Sequence, residues 1–343
     1  MSQTNRQWIL KTRPTGLVGP EHFELKEAPI PTPGDGEILL RSLYFSFDPT
    51  QRGWLNPGES YIPPVEIGEP MRAGAIGQVV ASNKEGFAAG DIVQGTFSWQ
   101  EYVVTDGSGP FPLTKLSTDY PLTYNLSIYG ITGLTAFFGL REVGKMKAGD
   151  VVLVSGAAGA TGSVVGQIAK AMGAKKVVGI AGGPDKCKWL VEEGGFDAAI
   201  DYKSDNIAEK IGQHCPDGVN VFFDNVGGAS LDAALLHIAE GARVVICGGI
   251  SSGYSGWDAE GPRNYMMLIL RSASMEGFLV LTYGAQFPDA VAQLAAWQAE
   301  GKIQVAEYVV EGFENAPTTL QGLFTGKNLG KTILKVSEAT VDA

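Results

Sequence analysis

From residue 151 onward, short apolar runs alternate with helical patterns, and this alternation constrains the fold more than any other feature. Val151-Val152-Leu153-Val154 is followed by a helical stretch over 163–172 and then by Val177-Val178-Gly179-Ile180. Ala198-Ala199-Ile200 and Val219-Asn220-Val221-Phe222-Phe223 are the next strand-like runs. A helix around 231–239 and the strand Arg243-Val244-Val245-Ile246 come after them. Unbroken apolar strands need cover on both faces, and helices between parallel strands supply it. The pattern predicts a doubly wound parallel sheet.

The first third reads differently. Strand-like runs over 37–45, 75–81, 91–97 and 101–105 are separated by Pro33-Gly34, Pro57-Gly58, Pro63-Pro64 and Gly109-Pro110. Short strands with frequent turn signals predict a small barrel or sandwich. Residues 126–143 look helical and precede the α/β region. Near the end, Tyr308-Val309-Val310, a helix around 316–324 and a strand over 331–336 return to mixed character. The expected division is 1–124 with 310–343 in one unit and 125–309 in the other.

Gly156-Ala157-Ala158-Gly159-Ala160-Thr161-Gly162 lies directly after the first buried strand and opens the helix behind it. This is the context of a dinucleotide-binding turn. Glycines at 159 and 162 leave room for a pyrophosphate, and the N–H groups of the helix start hold its charge. Ala157 stands where such turns usually carry another glycine. The next strand ends Ile180-Ala181-Gly182-Gly183, without the acid that binds the ribose hydroxyls of NAD. Lys186 and Tyr202 follow, a cation and a phenol suited to the 2′-phosphate of NADPH. The competing reading of Lys186 is a solvated helix lysine, and Asp185 beside it opposes a phosphate role slightly.

The formal charge is −11, which disfavours nucleic acid and anionic membrane surfaces as partners. No apolar run is long enough to span a bilayer, and the polar first residues carry no signal core. A cytoplasmic protein is expected. Three cysteines (Cys187, Cys215, Cys247) and three histidines (His22, His214, His237) form neither a disulfide framework nor a zinc-ligand spacing. No metal is expected.

With these residues located, the chain resembles the zinc-independent medium-chain dehydrogenase/reductases. It is most similar to the leukotriene hydroxydehydrogenase/prostaglandin reductase family and the bacterial curcumin-reductase-like enzymes. The similarity runs over nearly the whole chain. It is carried by Phe47-Asp48-Pro49-Thr50-Gln51-Arg52-Gly53-Trp54, the run 133–140, the glycine turn with residues 162–170, and Phe223-Asp224-Asn225-Val226-Gly227-Gly228. Cys247-Gly248-Gly249-Ile250-Ser251, the run 311–315 and Asn328-Leu329-Gly330-Lys331-Thr332 complete it. The resemblance implies a GroES-like β-barrel domain beside a Rossmann domain, with a cleft between them. It implies NADPH and reduction of the carbon–carbon double bond of enones and enals. Ala160, Thr161 and Gly162 would meet the pyrophosphate, and Lys186 and Tyr202 the 2′-phosphate. Asn225, Cys247 and Ser251 would line the adenosine and ribose path. Phe278 and Val280 would hold the nicotinamide amide through their main chains, and Asn328 would reach the cofactor from the returning C-terminal segment. A homodimer through the sheet edge near Ser274 to Leu281 is a further implication. Several relatives carry an aromatic residue where this chain has Thr50, so the substrate pocket differs there.

Hydride addition to the β-carbon of an enone places negative charge on the carbonyl oxygen, which needs a hydrogen-bond donor. A phenol donates without carrying charge. Tyr254, just after the 248–253 loop, is the first candidate and Tyr61, near Pro63-Pro64, the second; packing of the substrate wall is the alternative for both. The cofactor ribose hydroxyl could share the role, and water could protonate the α-carbon in place of a dedicated acid. Without Cys and His metal ligands, alcohol oxidation is disfavoured. Quinone reduction, or NADPH binding without turnover, are the competing functions.

Overall fold

The computed structural model describes residues 4–58, 60–109, 112–254 and 261–340. β1 (Thr4–Leu10) and β2 (Phe23–Pro29) form an antiparallel hairpin. β3 (Ile38–Phe47), β4 (Arg72–Ser82), β5 (Ile92–Ser98), β6 (Tyr102–Thr105) and the short β7 (Thr114–Lys115) follow. The α/β region supplies β8 (Val151–Ser155), β9 (Lys176–Ala181), β10 (Ala198–Asp201), β11 (Val219–Asp224), β12 (Ile238–Ile246) and β13 (Ser274–Gly277). The last strands are β14 (Glu307–Glu311) and β15 (Lys331–Lys335).

β8 to β13 form one six-stranded sheet, ordered β10-β9-β8-β11-β12-β13, with every pairing parallel. Counted from β8, that order is 3-2-1-4-5-6, the doubly wound dinucleotide-binding topology. The strands feed two cores on opposite faces. Val152 and Val154 of β8 join Phe223 and Val245 in one core, while Val151 and Leu153 join Phe222 and Val244 in the other. All five residues of β8 are buried, as its continuous apolar run requires.

The second large sheet runs β14-β15-β3-β4-β5-β7, with β6 also on β3. β5 shows the two-residue period of a strand with one buried face: Val93, Gly95 and Phe97 are inside. Its core gathers Leu40, Phe45, Phe47, Phe97 and Trp99 with Phe313, Leu320 and Leu334 from the end of the chain. The chain returns because β15 pairs with β3.

Two helical expectations need correction. Residues 126–143 are not one helix: an α-helix covers only Ile131–Phe138 and widens into a π turn over Gly139–Val143. A Cβ on Gly133 would lie 1.9 Å from the Ile128 carbonyl oxygen, so the chain turns back tightly before the helix begins. The helix expected over 231–239 is Gly228–Leu235, and β12 already starts at Ile238. Ile238 pairs with Val219, and this tertiary pairing overrides the helical pattern.

Lys331 fixes how the C-terminal segment meets the α/β half. Its side chain is buried, ion-pairs with Asp48, and donates to the Phe47 carbonyl at 3.1 Å. One residue earlier, the Gly330 N–H donates to the Ala158 carbonyl at 2.8 Å, and Gly330 bridges Gly159 in parallel. Gly330 has φ +69°, and a Cβ there would sit 2.1 Å from the Ala306 carbonyl oxygen, so only glycine fits. No helix among the described residues is long and apolar enough to cross a membrane.

Candidate functional site

The glycine turn leaves β8 with Gly156 at φ +57°, a conformation that favours glycine. The helix Ala160–Ala171 then starts with no side-chain cap. The N–H groups of its first residues, Ala160, Thr161 and Gly162, therefore have no partner within the helix, and the helix dipole adds positive potential there. A Cβ on Gly162 would lie 2.3 Å from the Gly156 carbonyl oxygen, so glycine is required for the helix to approach the strand. The turn thus fits a pyrophosphate. Asn328 belongs to the segment seated on it, and its Nδ2 donates to the Gly330 carbonyl at 3.2 Å.

The ends of β9 and β10 form the next part. Gly182 lies under the Tyr202 ring: a Cβ on Gly182 would be 2.6 Å from it. Asp201 accepts the Gly183 N–H at 2.8 Å and the Lys203 N–H at 3.0 Å, which fixes the acid-free loop. Those backbone hydrogen bonds hold the Asp201 carboxyl below its ordinary value. Lys186 rises from the helix Pro184–Glu192 toward Gly326 at the end of the helix Ala316–Thr325; a Cβ on Gly326 would be 4.0 Å from Lys186 Nζ. Burial, and secondarily the charge of Lys203, lower the Lys186 pKa. Two cations and an exposed phenol thus converge. Lys203 is the residue that sequence reasoning missed; only folding brings it near Lys186.

The loops after β11 and β12 carry the remaining positions. Asn225 donates from Nδ2 to the Ser155 carbonyl at 2.8 Å, and its Cβ is 3.4 Å from where a Gly156 side chain would begin. Ser251 Oγ donates to the Val226 carbonyl at 2.6 Å. Asp224, buried between them, accepts from Ser155 Oγ at 2.6 Å and from the Val226 and Gly227 N–H groups. Burial pushes its carboxyl pKa up, against those hydrogen bonds. The Cys247 N–H donates to the Asp224 carbonyl at 2.9 Å, and burial, with the Asp224 charge, pushes the Cys247 thiol up to about 12. That thiol is a neutral wall. Phe278 and Val280 follow β13. The Phe278 ring packs beside Phe223 over Gly139.

The two candidate phenols lie near each other but are held differently. Tyr254 has φ +52°, unusual for a residue with a side chain. Its hydroxyl oxygen accepts the Gly249 N–H at 3.1 Å, which leaves its proton for another acceptor. Burial raises its pKa, and Tyr61 contributes in the same direction. The Tyr61 hydroxyl accepts from Trp54 Nε1 at 3.0 Å and shares a 2.5 Å hydrogen bond with Thr50 Oγ1. Thr50 therefore binds Tyr61 directly. Among the described residues, no group of three or more His, Cys, Asp or Glu side chains could hold a metal ion.

Known oxidoreductases resemble this chain in sequence and fold. Residues 6–113 match a family described as the N-terminal domain of oxidoreductase, and 160–297 one described as zinc-binding dehydrogenase. The NADPH-dependent curcumin reductase of Escherichia coli is 38% identical over 342 residues, covering 98% of each chain. Mouse prostaglandin reductase 1 is 39% identical, covering 96% of this chain and 98% of its own. The solved structure of CurA from Vibrio vulnificus in complex with NADPH superimposes with TM-score 0.91 at 39% identity, covering 97% of this chain and 99% of that one. The chain belongs to the medium-chain dehydrogenase/reductase family, alongside the curcumin, prostaglandin and alkenal reductases.

Proposed function

We propose that this chain is a cytoplasmic, NADPH-dependent reductase of the carbon–carbon double bond in α,β-unsaturated ketones and aldehydes. Its NADPH-dependent and alkenal-reducing relatives support the reaction class. The observation that carries the reading is the Tyr254 hydroxyl, whose oxygen accepts from Gly249 and whose proton is free to donate.

When bound, NADPH supplies the hydride, which goes to the β-carbon of the acceptor. The N–H groups of Ala160, Thr161 and Gly162 hold the pyrophosphate, and Lys186, Lys203 and Tyr202 hold the 2′-phosphate. Asn225, Cys247 and Ser251 line the adenosine and ribose path, and Asn328 closes it. The main chains of Phe278 and Val280 orient the nicotinamide amide. Tyr254 donates a hydrogen bond to the substrate carbonyl oxygen as negative charge collects there. Its raised pKa keeps the proton on the phenol at neutral pH. Such a donor is worth about a hundredfold in turnover. Tyr61, already engaged by Trp54 and Thr50, shapes the pocket from the barrel side.

The test is NADPH consumption against a panel of enones, enals, quinones and saturated aldehydes. Saturated ketone or aldehyde should form from the first two. Turnover confined to quinones, or none with any acceptor, would refute the reading.

The same chain is proposed to be a homodimer. β13 ends the parallel sheet with all four residues exposed, and Ile269, Leu270, Leu279 and Leu281 lie exposed around it. An open strand edge beside apolar side chains fits a second copy of itself. Light scattering should give twice the chain mass for the wild type and the monomer mass for Leu279→Asp; a wild-type monomer would refute it.

A further inference from the structure

Arg52 is fully buried, yet among the described residues all its partners are neutral. Nε donates to the Gly16 carbonyl at 3.1 Å, Nη2 to the Pro14 carbonyl at 2.8 Å, and Nη1 to Asn56 Oδ1 at 2.5 Å. Burial lowers its pKa. A guanidinium only donates, so the Asn56 amide can face it only through oxygen. That orientation turns Nδ2 the other way. Nδ2 crosses to the α/β half and donates to the main-chain carbonyl of Tyr254 at 2.8 Å.

The residue it grasps needs holding. Tyr254 sits at φ +52°, in the left-handed region that a residue with a Cβ rarely adopts. Its phenol leans over the 248–249 backbone: a Cβ on Gly248 would be 2.8 Å from the hydroxyl oxygen. The residue is therefore tied at two points, by Gly249 at the side-chain hydroxyl and by Asn56 at the main-chain carbonyl.

We propose that Arg52 and Asn56 are positioning residues that hold the Tyr254 phenol in its reactive place through a latch from the barrel half. Arg52 sets the Asn56 amide, the amide sets the Tyr254 main chain, and the main chain aims the phenol. The proposal rests on the reading of Tyr254 as the donor. It also explains why Arg52 is buried among neutral acceptors: its function is to forbid the flipped amide.

Asn56→Asp is the informative change. One carboxylate oxygen keeps Arg52 as partner, now as an ion pair, so the fold is retained. The other oxygen then faces the Tyr254 carbonyl, and two acceptors repel. Hydrogen–deuterium exchange on the NADPH-saturated enzyme should show faster exchange at the Gly249 and Tyr254 amides in Asn56→Asp than in wild type. Turnover should fall about ten- to a hundredfold, with NADPH affinity, read by its fluorescence, unchanged. In a Tyr254→Phe background the same change should leave turnover where it was. Unchanged exchange across 249–254 would overturn the latch, as would an equal loss of turnover in both backgrounds. Wild-type turnover in Tyr254→Phe alone would instead sink the donor reading, and the exchange measurement would still decide the latch.

Discussion

Replacing Lys186 by alanine should switch much of the preference for NADPH over NADH. The lysine is part-buried, and both burial and Lys203 weaken its hold on a proton in the free protein. A 2′-phosphate reverses that balance by giving the ammonium a charged partner. A hydrogen bond to a charged group contributes about 1.5–3 kcal/mol, which is roughly ten- to a hundredfold in affinity. Lys203 and Tyr202 remain in the variant, so the lower end applies: kcat/KM for NADPH should fall about ten- to thirtyfold. NADH carries no 2′-phosphate, and its kcat/KM should hardly move. The free variant should be no less stable to heat, because the removed cation was a strained one. The pH dependence follows from the sign of the shift. Lys186 is lowered from 10.5 in the free protein and is restored by phosphate, so NADPH binding takes up a proton and weakens as pH rises into the alkaline range. That alkaline weakening should shrink in Lys186→Ala. The assay is initial rate against both cofactors with one enone held saturating. An unchanged NADPH/NADH ratio would refute the phosphate role of Lys186.

Tyr254→Phe should lower turnover about a hundredfold and leave NADPH binding intact; wild-type turnover would rule out an essential phenol. In the wild type, the alkaline limb of turnover should lie above the ordinary phenol value of 10.0, since burial raises Tyr254. Gly248→Ala places a methyl 2.8 Å from the Tyr254 oxygen, so it should displace the phenol and lower kcat while NADPH affinity holds. Equal kcat would show that the phenol can move without consequence. Lys331→Met removes the buried ammonium from Asp48, which is part-exposed and keeps Ser46, and should destabilise the fold by about 1.5–3 kcal/mol, read from denaturant unfolding; a loss near zero would show that the pair does not anchor the C-terminal segment.

The parallel sheet was legible in sequence because β8 and β9 are nearly unbroken apolar runs and β11 is interrupted only by Asn220, and such runs need no partner information. The cofactor turn was legible for a related reason: its glycines, the strand before and the helix after are all local. Helix boundaries were less so. Gly130 and Gly133 force a reversal through contacts with Asn125 and Ile128, and a periodicity over 126–143 does not register that. The strand at Ile238 depends on pairing with Val219. At the site, Tyr254 could be placed ahead of Tyr61 by its loop, but how each hydroxyl is held could not be read, since the partners are Gly249, Trp54 and Thr50. Lys203, and the Arg52–Asn56–Tyr254 chain, join segments far apart in sequence, so no spacing announces them.

The central claim is that hydride reaches the β-carbon of an enone while Tyr254 holds the carbonyl oxygen. The most direct test supplies NADPH deuterated at the transferred position of its nicotinamide, with a simple enone, and locates the label in the product by NMR. The account predicts saturated ketone with one deuterium at the β-carbon for each NADPH consumed. Deuterium on the carbonyl carbon of an allylic alcohol, or NADPH consumed without labelled ketone, would contradict it.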